Sequence, residues 1–461
     1  MIWHIAKREL YDNLNSLRFA LATALLLALM LTNAVVHLRE HPERIQEYRT
    51  SVTDYWNVLT SRTILLELAQ EGPGFLYKQP SSLRFCAEGG EAFLPNVVEA
   101  GSPHQYLANL RGVWQLEYPA ATPNLKNVRP DVTKVDWVFV IGTILSLITL
   151  LFTFDSISGE RERGTLRLML TNPTPRHIVL IGKFLGVLTS IFIPFTLAVL
   201  INLFAISTSS DVHLGAELWW RLCIIFSIAL LYTSLFIALG LLVSARVQQS
   251  AVSLVILLLT WVTFVVFTPG TLASIASGFS PAPMTSDEFW ERGSQLQEKL
   301  WDKYYAQGEN PLSKSEFVTK DAEGWERLNQ EHLTQQITQV ESVRAATRVS
   351  PAALVQHLLE SFSGTGFNRH LQFLENARRY ARQYREFVID TDRADPDSPH
   401  IIGVREGMSR KPVSPESIPR FEDTLSLSRD FNAVALDLLL LVMVVVVLMS
   451  GAYLAFVRVQ V

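Results

Sequence analysis

The sequence predicts an all-α integral membrane protein with six transmembrane helices and two extracytoplasmic domains, the second of which is mainly helical. Of the 461 residues, 49% are hydrophobic and only 18% are charged, whereas an average soluble protein carries roughly 25% charged residues. The charge deficit is concentrated in uncharged runs that are long enough to cross a bilayer. The formal net charge of −4 gives no indication of a nucleic-acid partner.

Residues 1–18 are predicted to form an amphipathic helix in the membrane interface, with Lys7, Arg8 and Glu9 away from its apolar face. The alternative is a polar lead-in to a span. Residues 19–36 are the first predicted span. A signal peptide is the competing interpretation, but its apolar region is normally about 7–15 residues long, and no clear small-residue cleavage site follows this run.

The rest of the chain divides into alternating apolar spans and polar segments. A capping-box pattern at Thr285 and Glu288 predicts helix in the second large polar segment. In order, the predicted parts are a first extracytoplasmic domain at 37–134, span 2 at 135–154, a cytoplasmic loop at 155–177, span 3 at 178–206, span 4 at 218–243, span 5 at 250–268, a second extracytoplasmic domain at 269–431 and span 6 at 432–457.

The distribution of charge predicts that both termini and the loop at 155–177 are cytoplasmic. Arg161, Arg163 and Arg176 lie in this loop, and short loops rich in Lys and Arg are retained on the cytoplasmic side. The turn at 207–217 carries two acidic residues and neither Lys nor Arg, as expected for an outer turn.

The sequence contains no motif for nucleotide binding or hydrolysis. A phosphate-binding loop needs GxxxxGK[ST], but the only Gly-Lys pair, Gly182-Lys183, is followed by Phe184. HExxH and GxSxG are absent, and the ten His are scattered without metal-ligand spacing. No catalytic residue and no metal ligand is therefore predicted, and any energy source must be another subunit.

The polar stretch between spans 2 and 3 is the most informative part of the sequence. Four consecutive alternating charges begin at Glu160 and end at Arg163, and Gly164 then breaks the pattern. Thr165 is predicted to cap a short helix that ends before Pro173. A short amphipathic helix of this kind can insert into a groove on a soluble partner. From composition alone, a solvated loop with a run of charges is an equally good interpretation.

This stretch resembles the inner-loop signature of type-2 ATP-binding-cassette (ABC) exporter permeases. The N-terminal helix with Lys7, Arg8 and Glu9 is similar to the interfacial helix of that family, and the segment from Ser350 to Phe373 resembles a subgroup with large outer insertions. The signature residues matched in the loop are Glu160, Glu162, Gly164, Thr165, Leu166, Pro173, Arg176, Gly182 and Lys183.

The resemblance implies a membrane subunit of an exporter in the bacterial inner membrane. It implies a dimer with an identical or related permease subunit and two ABC ATPase subunits, which carry the ATP and Mg, so that this chain holds no cofactor. A periplasmic partner is a further expectation. A non-transporting scaffold of an envelope or motility machine is the alternative function, and the substrate is not indicated. The implied ATPase-coupling residues are Glu160, Arg161, Glu162, Arg163, Gly164, Thr165, Leu166, Pro173 and Arg176.

Overall fold

The computed structural model describes residues 1–90, 94–101, 110–111, 135–167, 175–209, 215–280 and 282–458. Among these residues, six helices are long and apolar enough to cross a membrane. Five of the six predicted spans fall within one of them, and the second predicted span begins at residue 135, two residues before its helix. The chain is thus an all-α, multi-pass membrane protein. The six helices are Leu17–Ser61, Trp137–Glu162, Arg176–Ser207, Ala216–Arg246, Ser250–Phe279 and Leu427–Val457.

Several of these spans are divided into shorter regular pieces, and further helices lie outside them. Two π-helical stretches, Val140–Leu145 and Val262–Phe267, interrupt the second and fifth spans. The α-helices are α1 (Ile2–Leu14), α2 (Leu17–Ser61), α3 (Leu65–Glu71), α4 (Trp137–Phe139), α5 (Ser146–Thr153), α6 (Ser158–Glu162), α7 (Arg176–Ser207), α8 (Ala216–Arg246), α9 (Ser250–Trp261), α10 (Thr268–Phe279), α11 (Ser286–Ala306), α12 (Pro311–Thr347), α13 (Pro351–Ser363), α14 (Gly366–Arg393) and α15 (Leu427–Val457).

A small antiparallel sheet lies in the first large polar segment. Its strands are β1 (Gly74–Tyr77), β2 (Val97–Ala100) and β3 (Leu110–Arg111), in the order β1-β2-β3. The two large polar segments pack on each other, because Leu59 and Leu65 share a core with Tyr380 and Tyr384. The Tyr384 hydroxyl also donates to the Leu68 carbonyl at 3.0 Å. The described parts of the two segments therefore meet across an apolar interface.

Helix α13 is buried inside the span bundle although it is too short to cross a membrane. Every residue from Ala352 to Ser363 is buried, and the helix packs against α8, α15 and both π-helical stretches. A π-helical turn leaves carbonyls poorly paired, and neighbouring side chains bond two of them. The Tyr232 hydroxyl donates to the Gly142 carbonyl, and the Ser350 hydroxyl donates to the Phe264 carbonyl, each at 2.7 Å.

Helices α11 and α12 form an antiparallel hairpin in the second large segment. The predicted capping box is present, with Thr285 and Glu288 bonded reciprocally at the start of α11. The helices approach closely at two glycines: Gly293 faces Trp325, and Gly324 faces Leu296. A Cβ at either glycine would collide with the opposing side chain.

Buried arginine contacts fasten the second large segment to the spans. Arg221 of α8 lies 2.7 Å from Asp430 at the start of α15, and its guanidinium also donates to the Phe362 carbonyl of α13 at 3.2 Å. Arg348, which follows α12, bonds to Asp437 of α15. Because removing one member of a buried pair leaves an uncompensated charge, these contacts fix the position of the segment on the bundle.

Candidate functional site

Helix α6 is the described core of the predicted coupling loop, and it is anchored to the end of the fourth span. The backbone N–H groups of Ile157 and Ser158 both donate to the Ser244 hydroxyl at 3.0 Å. Ser158 and Ser244 are fully buried. Two of the otherwise unpaired donors at the start of α6 are thereby satisfied by a side chain of α8.

The centre of the site is a lysine held between two carboxylates. The side chain of Lys183, near the start of α7, is only 1% exposed, and its Nζ lies 2.5 Å from Glu9 Oε1 and 2.8 Å from Glu160 Oε1. A buried ammonium is costly unless it is paired. The triad of Glu9, Lys183 and Glu160 therefore ties α1, α7 and α6 together.

A stripe of small residues on α7 allows α1 to approach closely. Gly182, Gly186 and Ser190 are four residues apart and lie on one helix face. A Cβ at Gly182 would lie 2.8 Å from Ile5 Cβ, and a Cβ at Gly186 would lie 2.6 Å from the Cβ of Glu9. Beyond them, Ser190 accepts a hydrogen bond from the Asn13 amide at 3.2 Å. Small residues commonly support such close helix packing in membranes.

Helix α1 rests on α7, and its basic residues lie away from the triad. Glu9 faces Lys183, whereas Arg8 is exposed and lies 4.0 Å from Asp12. Lys7 lies over the Tyr11 ring, with 5.7 Å between Nζ and the ring centroid. Of the three charged residues predicted here, only Glu9 joins the triad.

Two charged residues of α6 form hydrogen bonds on both sides of the turn between the fourth and fifth spans. Arg161 donates to the carbonyls of Ala245 and Val247 at 3.2 and 3.1 Å, at the C-terminal end of α8. Glu162 accepts from the backbone N–H and the hydroxyl of Ser250 at 2.9 and 2.7 Å, at the start of α9. A cation at a helix C-terminus and an anion at a helix N-terminus are both favoured by the helix dipole.

Gly164 and Thr165 end α6 in a way that corrects the predicted cap. Thr165 was expected to cap the following helix, but its hydroxyl donates backwards to the Glu160 carbonyl at 3.2 Å, and residues 165–167 are already helical. Gly164 has φ of 71°, a conformation that glycine adopts readily at helix C-termini. The change in chain direction at Gly164 places the Thr165 hydroxyl beside the Glu160 carbonyl.

The remaining predicted residues divide between inward and outward positions. Leu166 is 1% exposed and belongs to the bundle core. Arg163 is exposed and donates to the Gly159 carbonyl at 3.1 Å. Arg176 donates to the carbonyls of Phe456 and Val457 at the end of α15, at 3.2 Å for Phe456. Pro173 and residues 168–170 of the predicted helix lie outside the described residues.

The sequence did not indicate the partners of the charged loop residues. Lys183 was noticed as part of a motif, but a lysine in an apolar run gives no sign of which carboxylates it meets. Ser244 and Ser250 were not predicted as site residues. The spacing of Gly182, Gly186 and Ser190 is a signal in the sequence that could have indicated close packing of another helix on α7, but it does not say which helix. Within the described ranges, no cluster of three or more His, Cys, Asp or Glu side chains is placed to hold a metal ion.

The fold and the clasped loop define a six-span helical membrane protein with a polar assembly at one end of the bundle. The family model described as "ABC-2 family transporter protein" matches residues 3–459. The chain belongs to this family.

Two curated relatives share a short, well-matched stretch with the chain. The "Probable ABC transporter permease protein NosY" of Pseudomonas aeruginosa is 54% identical over 43 residues, which is 9% of this chain and 16% of the relative. The protein of the same name from Stutzerimonas stutzeri is 51% identical over 43 residues, with the same coverage of 9% and 16%. The chain thus matches about one sixth of the length of these relatives.

Proposed function

We propose that this chain is the permease subunit of an ABC transporter and that α6 receives the mechanical input from a separate ATPase. Membership of the ABC-2 family supports this, as do the two relatives whose names describe ABC transporter permeases. ATP and Mg are bound by the ATPase, and this chain supplies neither a nucleotide site nor a catalytic residue.

The observation that carries the proposal is the path of contacts leading away from α6. Glu160 is joined to α7 and α1 through Lys183. Arg161 and Glu162 are joined to the ends of α8 and α9. A displacement of this five-residue helix would therefore be passed directly to the third, fourth and fifth spans. Glu162, Arg163, Gly164 and Thr165 are exposed and form the surface that meets the ATPase.

The orientation follows from this role. The assembly around α6 faces the cytoplasm, together with both termini, and the two large segments lie on the periplasmic side of the bacterial inner membrane. The charge of the loop at 155–177 supports this orientation. The complex contains two permease subunits, identical or related, and two ATPase subunits. Transport is outward, and the protein belongs to the subgroup with large outer insertions, some of which contact a periplasmic partner.

The test compares two acidic residues at opposite ends of the bundle. Glu162→Ala removes the link to Ser250 and one exposed carboxylate, whereas Glu43→Ala removes an exposed carboxylate of α2. The chain is purified with the ABC ATPase that accompanies it, and hydrolysis is measured in the complex. We expect Glu162→Ala to lower the permease-dependent hydrolysis by about tenfold, in line with about 1.4 kcal/mol of lost coupling, and Glu43→Ala to leave it unchanged. Equal activity of both variants, or a wild-type chain that binds no ABC ATPase, would contradict the proposal.

A non-transporting scaffold remains the second candidate, and the interface between the two large segments is the observation that favours it. Their common core includes Leu65, Tyr380 and Tyr384, and it builds a rigid body that could assemble an envelope machine. Reconstitution of the complex into vesicles separates the two functions. Movement of a solute with ATP hydrolysis supports a transporter, whereas hydrolysis with no moved solute supports the scaffold.

A further inference from the structure

A cavity outside the bundle brings cations from three parts of the first large segment together. It has a volume of ≈ 450 Å³ and lies between the middle of α2, the end of β1 and the start of β2. Arg44, Lys78 and Arg84 line it, against the single carboxylate of Glu47. Lys78 is only 4% exposed. Together these three side chains bring several N–H donors for an anion to one cavity.

The same cavity is lined by groups that recognise hydroxyl-bearing molecules. Tyr48 and Ser51 come from α2, Tyr77 from β1, and Asn96 from the residue before β2. Tyrosine rings offer flat apolar faces with a polar end, and the hydroxyl and amide groups both donate and accept. Its volume falls within the range of small-molecule sites, about 300–1,000 Å³, and exceeds what a simple inorganic anion needs.

Neighbouring carboxylates hold the two arginines in position. Arg44 lies 3.1 Å from Glu40, and Arg84 forms an ion pair with Glu88. A guanidinium has five N–H donors, so it can bond to a carboxylate and to a second anion together. Both arginines line the cavity, whereas Glu40 and Glu88 do not.

The position of the cavity along α2 favours a soluble ligand over a lipid headgroup. The predicted apolar run ends at residue 36, and α2 continues without a break to Ser61. At 1.5 Å per residue, Arg44 lies about 12 Å and Ser51 about 22 Å beyond that point. The polar layer of one leaflet is only about 5–8 Å thick, so the cavity begins beyond it.

We propose that this cavity is a binding site for a soluble phosphorylated sugar. The phosphate is held by Arg44, Lys78 and Arg84, and the sugar body lies against Tyr48 and Tyr77. A phosphate on a hydroxyl-bearing body also occurs in phospholipid headgroups. The distance of the cavity from the apolar part of α2 favours a soluble ligand over a lipid. The inference is independent of whether α6 couples to an ATPase.

The test is calorimetric titration of the purified full chain with four probes. We expect glucose 6-phosphate to bind at least tenfold more tightly than glucose, and more tightly than inorganic phosphate. We also expect its affinity to fall as the salt concentration rises, because the contacts are ionic. Vesicles containing phosphatidylglycerol should not compete with it. Equal binding of glucose, absence of glucose 6-phosphate binding, or competition by phosphatidylglycerol would each overturn the proposal.

Paired substitutions on α2 locate the site. Arg44→Gln removes a cation that lines the cavity, and Arg49→Gln removes an exposed cation of the same helix that does not line it. We expect Arg44→Gln to weaken glucose 6-phosphate binding by about tenfold or more and Arg49→Gln to leave it unchanged. Tyr48→Phe keeps the ring and removes the hydroxyl, so it should weaken binding by about threefold. This variant serves as the second test of the site if Arg44→Gln lowers the melting temperature of the protein. Equal affinities for all three variants and the wild type would refute the site.

Discussion

Single residues determine how the ends of the helices are held in this protein. Lys183 is the clearest example, because one ammonium group within a span contacts carboxylates from two other helices. An ion pair on the surface contributes little, but this lysine is 1% exposed and cannot return to water. Moving α1 or α6 away from α7 would leave this buried ammonium without one of its carboxylates, and the free-energy cost of doing so keeps both helices in place.

Replacing this lysine should destabilise the protein and free both helices. Lys183→Met keeps a long unbranched side chain but leaves Glu9 and Glu160 as unpaired carboxylates. We expect the free energy of unfolding to fall by about 3 kcal/mol, the lower end for breaking a buried pair, because the two carboxylates keep some contact with solvent. Lys7→Met is the control on an exposed position of α1. Unfolding in mixed micelles measures the difference.

A double substitution separates the charge effect from the packing effect. If Glu160 is costly because it has lost its partner, Lys183→Met with Glu160→Gln should recover part of the lost stability. Stability that falls further in the double variant would mean that the ion pair is not what holds α6 to α7.

Because one histidine of the second large segment is buried, we expect this segment to become less stable in acid. His370 of α14 is fully buried, and burial, together with the nearby Lys78 and Arg369, lowers its pKa from 6.5 to about 3. Below pH 6.5 the unfolded chain takes up a proton at this residue, whereas the folded chain does not until about pH 3. The free energy of unfolding should therefore decrease by about 1.4 kcal/mol per pH unit over this window.

The measurement is the melting temperature of the purified protein from pH 7.5 down to pH 4.5. His370→Gln removes the titrating group. The melting temperature should therefore fall less steeply with decreasing pH in this variant than in the wild type. His4→Gln, at an exposed position of α1, should leave the slope unchanged. An unaltered slope in His370→Gln would contradict this explanation.

Whole helices are positioned here by small residues and by helix ends. Helix α1 lies along the Gly182, Gly186, Ser190 stripe of α7, and α6 lies across the ends of α8 and α9. Because a Cβ at Gly182 or Gly186 would lie within 3 Å of α1 atoms, small changes in side-chain size along the stripe should have large effects. The α11–α12 hairpin follows the same rule, with Gly293 and Gly324 facing Trp325 and Leu296.

A larger residue in the stripe should displace the N-terminal helix. A Cβ at Gly186 would lie 2.6 Å from Glu9 Cβ and 3.0 Å from the Ala6 carbonyl oxygen, so Gly186→Val forces α1 away. We expect trypsin to cleave after Lys7 or Arg8 several times faster than in the wild type. Gly270→Val places the same residue in α10, where nothing lies within 4 Å of the new Cβ, and should have no effect. Equal cleavage rates in both variants would show that α1 is not held by this stripe.

The sequence predicted the spans well because a long apolar run leaves few alternatives in a bilayer. Each of the six predicted spans overlaps one long apolar helix of the fold, and the capping box at Thr285 and Glu288 is present. The sequence could not show that α2 continues to Ser61, since the polar residues after the first span and Pro42 within it resemble the start of a separate domain.

The position of α13 and the partners of the loop charges also could not be predicted. With 13 residues, α13 is too short to be recognised as a membrane element, and its burial depends on spans that are distant in sequence. The contacts of Glu160 and Glu162 likewise join residues 23 and 88 positions apart. Such pairings are decided by tertiary packing, which local patterns do not contain.

At the scale of the molecule, the protein has two ends of different construction. At one end α1, α6 and the turn after α8 form a compact polar assembly on short connections. At the other end the two large segments share a core, and the second is fastened to the spans by contacts such as the ion pair of Arg348 with Asp437. In the proposed orientation, these two ends lie on opposite sides of the bilayer.

Cysteine labelling tests that orientation. The chain has a buried Cys86 and an exposed Cys223, so Cys223→Ser gives a suitable background. A membrane-impermeant maleimide should then label Arg163→Cys only in inside-out vesicles and Glu43→Cys only in right-side-out vesicles, since both positions are exposed. Labelling of both from one side, or the reverse assignment, would contradict the proposed topology.

The two π-helical stretches beside α13 constrain how this gene can change. Each π turn accommodates one residue more than an α turn, and neighbouring hydroxyls from Tyr232 and Ser350 are placed to match it. Loss of one codon within 140–145 or 262–267 would rotate everything on one side of the deletion by roughly 100°. The hydrogen bond that the Trp261 indole N–H donates to the Ser146 hydroxyl, 2.9 Å long, would then be lost. We expect single-codon insertions and deletions to accumulate in the polar segments and to be purged from these two short windows.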